Sequence, residues 1–252
     1  MITGLNGSIT IANGSDVRSF IGDGTFTFTT SLASGASYSV TVTAQPSTQT
    51  CTVTNGSGTV AAANITNVAV TCVTNTYTVG VTVSGLAAAT SVVLQNNAGN
   101  DLTASSNGTA VFTTRVASGA AYAVTVKTHP TNPSQTCTVT AGFGTMAAAD
   151  INVAVACVTV PLVVTSIIPA NNATNVSRSV SPQLGFSVAL NASTLTPGNI
   201  TLKRATSNVS AVSAVTPGAV TATALVTTTQ LLPLTQYTLT VTGGIRGQYG
   251  ES

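Results

Sequence analysis

The feature that most constrains this chain of 252 residues is that it carries one segment twice. The run Phe28-Thr29-Thr30-Ser31-Leu32-Ala33-Ser34-Gly35-Ala36-Ser37-Tyr38-Ser39-Val40-Thr41-Val42 returns, beginning at Phe112 and ending at Val126, with 11 of 15 positions identical. The match continues through Cys51-Thr52-Val53-Thr54 and Cys137-Thr138-Val139-Thr140, then through Asn67-Val68-Ala69-Val70 and Asn152-Val153-Ala154-Val155. Self-similarity on this scale marks one folding unit used twice. A third region, from about Val160, has no cysteine and a different pattern. The expected organisation is therefore three units, residues 1–74, 75–159 and 160–252. Joints of only a few residues favour a stiff arrangement over beads on a string.

Within the second unit the apolar period is two: Tyr77, Val79, Val81 and Val83 alternate with Thr and Gly, as in a half-buried strand. Ser91–Gln95, Asp101–Ala104, Ala110–Val116, Ala121–Lys127, Thr136–Thr140 and Ile151–Val158 repeat the pattern. Seven short strands in one unit is the spacing of an antiparallel sandwich. Asn13-Gly14, Asn55-Gly56 and Asn107-Gly108 predict type I′ turns, whose two central residues need positive φ. No amphipathic helix is evident, so the predicted class is all-β.

Composition narrows the function. Only 5% of residues are charged and the net charge is +2, which leaves no electrostatic footprint for nucleic acid or an anionic membrane. The 48 Thr and 25 Ser supply the polar surface instead. No stretch approaches the roughly 18 apolar residues of a membrane span, and the opening Met1–Gly7 has no signal-peptide pattern. A surface this poor in charge favours association or a glycan coat.

The cysteines Cys51, Cys72, Cys137 and Cys157 fall as one equivalent pair per duplicated unit, 21 and 20 residues apart. That reads as one disulfide in each unit, worth roughly 3 kcal/mol for a loop of this size. Zinc is the alternative, but the spacing and ligand variety of a zinc site are absent. Disulfides imply an oxidising compartment, outside the cytosol.

Catalytic chemistry is hard to assemble. The acids Asp16, Asp23, Asp101, Asp150 and Glu251 form no pair by spacing. Asp16 and Asp23 share a loop region without the carboxylate density of a calcium site. His129 stands where the first unit has Gln45, so it reads as an exposed loop residue rather than a catalytic base. The Thr25–Thr30 run, broken by Phe26 and Phe28, reads as an ordinary half-buried strand. The expectation is a protein that is not an enzyme and has no cofactor and no metal.

The pattern Tyr77, Val79, Ser84-Gly85-Leu86, Asn107-Gly108, Gly119-x-x-Tyr122 and Cys137 to Cys157, less complete from Gly4-Leu5 to Cys72, resembles a tandem repeat of large secreted bacterial surface proteins. The motifs Ile168-Pro169-Ala170-Asn171-Asn172-Ala173-Thr174-Asn175-Val176, Phe186-Ser187, Asn199-Ile200-Thr201-Leu202 and Leu232-Pro233-Leu234-Thr235-Gln236-Tyr237 resemble the bacterial Ig-like domain of S-layer and adhesin proteins. Together these resemblances imply three tandem immunoglobulin-like antiparallel β-sandwiches at the cell surface or in secreted form. Gly35-x-x-Tyr38, Gly119-x-x-Tyr122 and Leu234-x-x-Tyr237 resemble the tyrosine corner of such sandwiches, in which the phenol bonds back to upstream backbone.

Two departures matter. Before Gly4-Leu5 the first unit has only Met1, Ile2 and Thr3, where the second has the whole Tyr77–Ser84 strand. After Tyr237 the third unit lacks the acidic turn and final strand that its resemblance implies, ending through Ile245 and Tyr249. An unfinished sandwich is a template for a strand from elsewhere. The expectation is a head-to-tail homopolymer whose termini, Met1–Thr3 at one end and Ile245 and Tyr249 at the other, complete each other's sheets. The plainer reading is a piece of a longer tandem protein. The alternative function is an adhesin whose sandwich-end loops bind a glycan or host surface, with Tyr249 and Phe143 as its free aromatics.

Overall fold

The computed structural model describes residues 1–252, and the chain is strand and turn throughout except for one 3-10 turn, Ala192–Thr194. The first unit contains β1 (Ile2–Thr3), β2 (Ile9–Asn13), β3 (Asp16–Phe20), β4 (Ser37–Ala44), β5 (Gln49–Thr54), β6 (Ser57–Thr59) and β7 (Ala69–Thr74). They form the sheets β3-β2-β4-β6 and β1-β7-β5. Ile9, Ile11 and Val40 of one sheet meet Ile2, Cys51, Val70 and Cys72 of the other in a core of 7 buried residues.

The second unit contains β8 (Thr76–Tyr77), β9 (Val79–Ser84), β10 (Val92–Asn96), β11 (Asn100–Ala104), β12 (Gly108–Val111), β13 (Val116–Ala117), β14 (Ala121–Thr128), β15 (Gln135–Thr140), β16 (Phe143–Thr145) and β17 (Ile151–Thr159). Its sheets are β11-β10-β14-β16 and β12-β9-β17-β15, with β8 paired to β13. The core between them has 15 buried residues, twice the first unit's.

The third unit contains β18 (Val164–Ile168), β19 (Gln183–Phe186), β20 (Ile200–Arg204), β21 (Val212–Pro217), β22 (Thr223–Thr228) and β23 (Tyr237–Val241). The sheets β18-β19-β22-β21 and β20-β23 enclose Leu184, Phe186, Ile200, Leu202, Ala224 and Val226. No strand ladder crosses from one unit into the next. The fold is all-β and Ig-like. Most pairing is antiparallel, but the opening strand of each duplicated unit runs parallel to its closing strand: β1 beside β7 and β9 beside β17.

Local chemistry differs from expectation at several points. None of the three Asn-Gly pairs is a type I′ turn. Between β2 and β3 the two loop residues are Gly14-Ser15, with only Gly14 at positive φ. Asn55-Gly56 and Asn107-Gly108 carry the chain from one sheet to the other, so no hairpin forms there. The positive-φ pair is Asn97-Ala98, in the β10–β11 loop.

The tyrosine corner holds only for Tyr237, whose hydroxyl accepts the backbone N–H of Leu232 at 3.1 Å. Tyr38 instead donates downstream to the carbonyl of Asn55 at 3.4 Å. In both duplicated units the ring covers a glycine directly across the ladder, Gly58 for Tyr38 and Gly144 for Tyr122. A Cβ on Gly58 would lie 2.8 Å from the Tyr38 hydroxyl, so the glycine leaves room for the ring.

Candidate assembly interface

The opening strand of the second unit shows what a finished copy of the repeat needs. β9 is inserted between β17 and β12, pairing parallel on one side and antiparallel on the other. Val79, Val81 and Val83 are buried, and Phe112 beneath them is 2% exposed. Small size is required between the valines: a Cβ on Gly80 would meet Asn152 Oδ1 at 3.2 Å and the Ile151 carbonyl at 3.4 Å. Polar groups fasten the start of the strand. Asp150 accepts the backbone N–H of Thr78 at 2.6 Å, and the Arg115 guanidinium donates to the Thr76 carbonyl at 2.6 Å and to its hydroxyl at 3.1 Å. The Thr78 N–H, with the Thr78 hydroxyl and the Arg115 charge adding to it, holds the Asp150 carboxyl below its ordinary value.

In the first unit only the end of this arrangement exists. Ile2 bridges Gly24 and pairs with Val70, as Val83 pairs with Gly108 and Val155, so β1 corresponds to Val83–Ser84. Ile2 is buried in the core, and the Met1 amino group donates to the Val68 carbonyl at 2.9 Å. These residues hold their own sheet together rather than projecting as an arm. Nothing in the chain stands where Thr76–Val81 stands in the second unit.

The consequence appears on both flanks. Thr25–Phe28, the counterpart of Thr109–Phe112, is not in a ladder, although its alternation reads as a strand. Thr66–Val68, the counterpart of the start of β17, is likewise outside any strand, and β7 begins only at Ala69. The sequence pattern was right about the side chains, but a strand also needs a neighbour to bond. Apolar groups are uncovered to match. Phe28, Val60 and Val68 are half-buried, where Phe112, Met146 and Val153 are buried. Phe26, Leu32 and Ile65 are 40%, 38% and 38% exposed, and Phe26 leans on Phe20 with ring centroids 4.0 Å apart. The clamp residue Arg115 has Ser31 as its counterpart, so the fastening group is absent as well.

Both units turn sharply after the opening strand, at Gly4 (φ +73) and Gly85 (φ +71). Each glycine lies against the carbonyl of the second cysteine, Cys72 or Cys157, where a Cβ would clash. A buried glutamine fixes the turn: Gln135 Nε2 donates to the Gly85 carbonyl at 2.8 Å while its Oε1 accepts the Ala87 N–H at 2.9 Å. Gln49 does the same for Gly4 and Asn6, at 2.7 and 2.6 Å. A second acceptor caps the turn, Asp23 for Gly4 and Leu5, and Asn107 for Leu86. Asp23 is thus a turn-capping group. Asp16, on the other side of the loop, accepts from the backbone N–H of Thr30, which pulls its carboxyl below the ordinary value. Nothing in the sequence singled out the two glutamines; only their equivalent positions in the repeat could have done so.

The two disulfides are present, Cys51–Cys72 and Cys137–Cys157. Each joins directly registered residues of adjacent strands, tying the edge strand β5 or β15 to its neighbour. Beside them Gln45 donates to and accepts from the Cys51 backbone, at 2.9 and 2.8 Å. His129 takes the same place in the second unit, its Nδ1 accepting the Cys137 N–H at 3.0 Å. The histidine is exposed and acts as a backbone acceptor.

At the first joint a single residue, Asn75, separates β7 from β8. Its backbone N–H donates to Thr48 and its side chain accepts from the Thr50 hydroxyl, while its carbonyl accepts the N–H of Ser118 in the second unit. At the other end of the chain, the segment expected to be free is largely seated. Ile245 is 3% exposed in the third core, the Arg246 carbonyl accepts the Asn191 N–H at 3.0 Å, and the Gln248 N–H donates to Ala189 at 2.7 Å. The segment is therefore tied to Ala189–Asn191 by a single antiparallel bridge between Leu190 and Gly247. Tyr249 is 47% exposed beside Pro133 and Pro161, and Phe143 is 70% exposed on β16.

A shallow cleft of about 490 Å³ lies on the second unit, lined by Thr90, Ser91, Ser105, Thr128, His129 and Asn132 among others and by no Phe, Tyr or Trp. No helix is long and apolar enough to cross a membrane.

Residues 158–252 match the family model of the bacterial Ig-like domain. The match covers the third unit and the end of β17, and it supports an Ig-like bacterial surface domain in that part of the chain. No curated protein matches the chain. With the disulfides, the bacterial Ig-like match fits a surface or extracellular structural or adhesin module in an oxidising environment.

Proposed function

We propose that the chain is a non-enzymatic structural module of a bacterial surface filament or stalk, in which such modules join head to tail. The observation that carries this reading is the duplication itself: two copies of one disulfide-bonded repeat follow each other with a single residue between the last strand of the first and the first strand of the second. A head-to-tail contact is heterologous and propagates instead of closing. The joint at Asn75, bonded from both sides, passes tension directly from β7 into β8, and the disulfides staple the edge strands against shear. Immunogold labelling of the source cells tests the reading. Label along fibres or stalks outside the cell is expected; label confined to the cell interior overturns it.

The cleft beside His129 favours a second reading, an adhesin that binds glycan through the end loops of the second unit. Retention of defined glycans on an array by the whole chain, lost in His129→Ala, would support that reading over the first.

A further inference from the structure

We propose that His129 is a proton-operated latch: its neutral ring pins the loop that walls the cleft on the second unit, and a protonated ring releases that loop. The inference is independent of how modules are joined, and it gives the second unit a pH response that the first unit lacks.

The two copies of the repeat meet one need with different chemistry. On each disulfide-bearing edge strand the N–H of the first cysteine takes its acceptor from a side chain six or eight residues earlier. In the first unit that acceptor is Gln45 Oε1, at 2.8 Å from the Cys51 nitrogen, and Gln45 Nε2 donates in return to the Cys51 carbonyl at 2.9 Å. In the second unit it is His129 Nδ1, at 3.0 Å from the Cys137 nitrogen. A glutamine amide does not titrate and keeps its acceptor. An imidazole has one acceptor nitrogen when neutral; when protonated it carries N–H on both nitrogens and accepts nothing. Nδ1–H then faces the Cys137 N–H, donor against donor, and the ring turns away. Imidazole side chains make this change between about pH 5 and pH 8.

The ring titrates among neutral neighbours. None of the other side chains that line the cleft is titratable. Both cysteines beside it are locked in the Cys137–Cys157 disulfide. Lys127, near the end of β14, is paired with Asp101. On the far side of the loop Pro133 lies beside Glu251, whose carboxylate accepts the Tyr249 N–H at 3.0 Å.

The latched loop is short of other ties. The segment from His129 to Gln135 is two residues longer than its counterpart from Gln45 to Gln49. It is closed by the Gln135 N–H donating to the Pro130 carbonyl at 3.1 Å and by a bridge between Thr131 and Ser134. Thr131 and Asn132 line the cleft beside His129, so release of the ring moves one wall of it. The disulfide keeps β15 on β17 and the exposed ring admits water, so the loss stays local and is read at single amides rather than in the unfolding midpoint.

The duplication supplies the control for the test. Cys51 and Cys137 lie in the same hexapeptide, Gln-Thr-Cys-Thr-Val-Thr, so their amides share one intrinsic exchange rate. Amide exchange is measured at both positions in the full chain, from about pH 8 to about pH 5, the imidazole range. Protection at Cys137 relative to Cys51 is expected to fall roughly three- to tenfold, the worth of one hydrogen bond. His129→Gln should hold the ratio constant, and Gln45→His should transfer the fall to Cys51. A ratio that stays flat in the unaltered chain, or a fall that persists in His129→Gln, would overturn the proposal. So would a folded Gln45→His chain in which Cys51 stays indifferent to pH.

Discussion

The side chain of Gln135 closes a two-point clamp on the turn at Gly85, donating to that residue's carbonyl at 2.8 Å and accepting the Ala87 N–H at 2.9 Å. Gln135 is buried, so truncation leaves backbone groups without partners or water. Gln135→Ala should destabilise the second unit by about 2–3 kcal/mol. Gln135→Glu should not restore it, because a carboxylate cannot donate to Gly85. Chemical denaturation of the two variants checks both statements.

Glycine substitutions should rank by what a Cβ would strike. At Gly85 the obstacle is the Cys157 backbone carbonyl and φ is +71, so neither the neighbour nor the chain yields easily. At Gly144 the obstacle is the Tyr122 ring, which is able to swing outward. Gly85→Ala is expected to cost about 3 kcal/mol or more and Gly144→Ala about 1–2 kcal/mol. Equal losses in thermal melts would contradict the assignment of Gly85 to a backbone constraint.

Acid should loosen the second unit through its carboxylates. Asp150 is held below the ordinary aspartate value first by the Thr78 N–H, and Asp101 first by its hydrogen bond from Lys127, then by Gln95. A depressed folded-state pKa contributes stability that is fully present above the unfolded value of 3.8 and is lost as pH falls through the folded value. Stability should therefore be level from neutral pH to about pH 5 and decline below the ordinary aspartate range. Asp150→Asn should lower stability at neutral pH and flatten the acid decline, measured by denaturant midpoints across the range.

Much of this was legible in the sequence, for physical reasons. The strand pattern of Tyr77–Val83 and the paired cysteines are periodic and local, so side-chain alternation and repeat position reveal them. The Thr25–Phe28 segment carries the same alternation, yet it forms no ladder, because pairing depends on a neighbour that local pattern cannot report. The Asn-Gly pairs misled for a related reason: whether a turn returns to the same sheet or crosses to the other is decided by topology. The seating of Ile245–Gln248 was hidden because the single bridge from Gly247 to Leu190 joins segments with no alternation.

Reduction should separate the duplicated units. Each disulfide closes a loop worth roughly 3 kcal/mol in the chain-entropy model. The first unit has 7 buried core residues against 15 in the second, so it has less to fall back on. Cys51→Ser with Cys72→Ser should unfold the first unit at lower denaturant than Cys137→Ser with Cys157→Ser unfolds the second, as read by unit-resolved hydrogen exchange.

The most direct measurement compares amide exchange at Thr25–Phe28 with that at Thr109–Phe112 in one sample of the dilute chain. The account predicts rapid exchange at the first segment and slow exchange at the second. Matching protection of the two segments would contradict it.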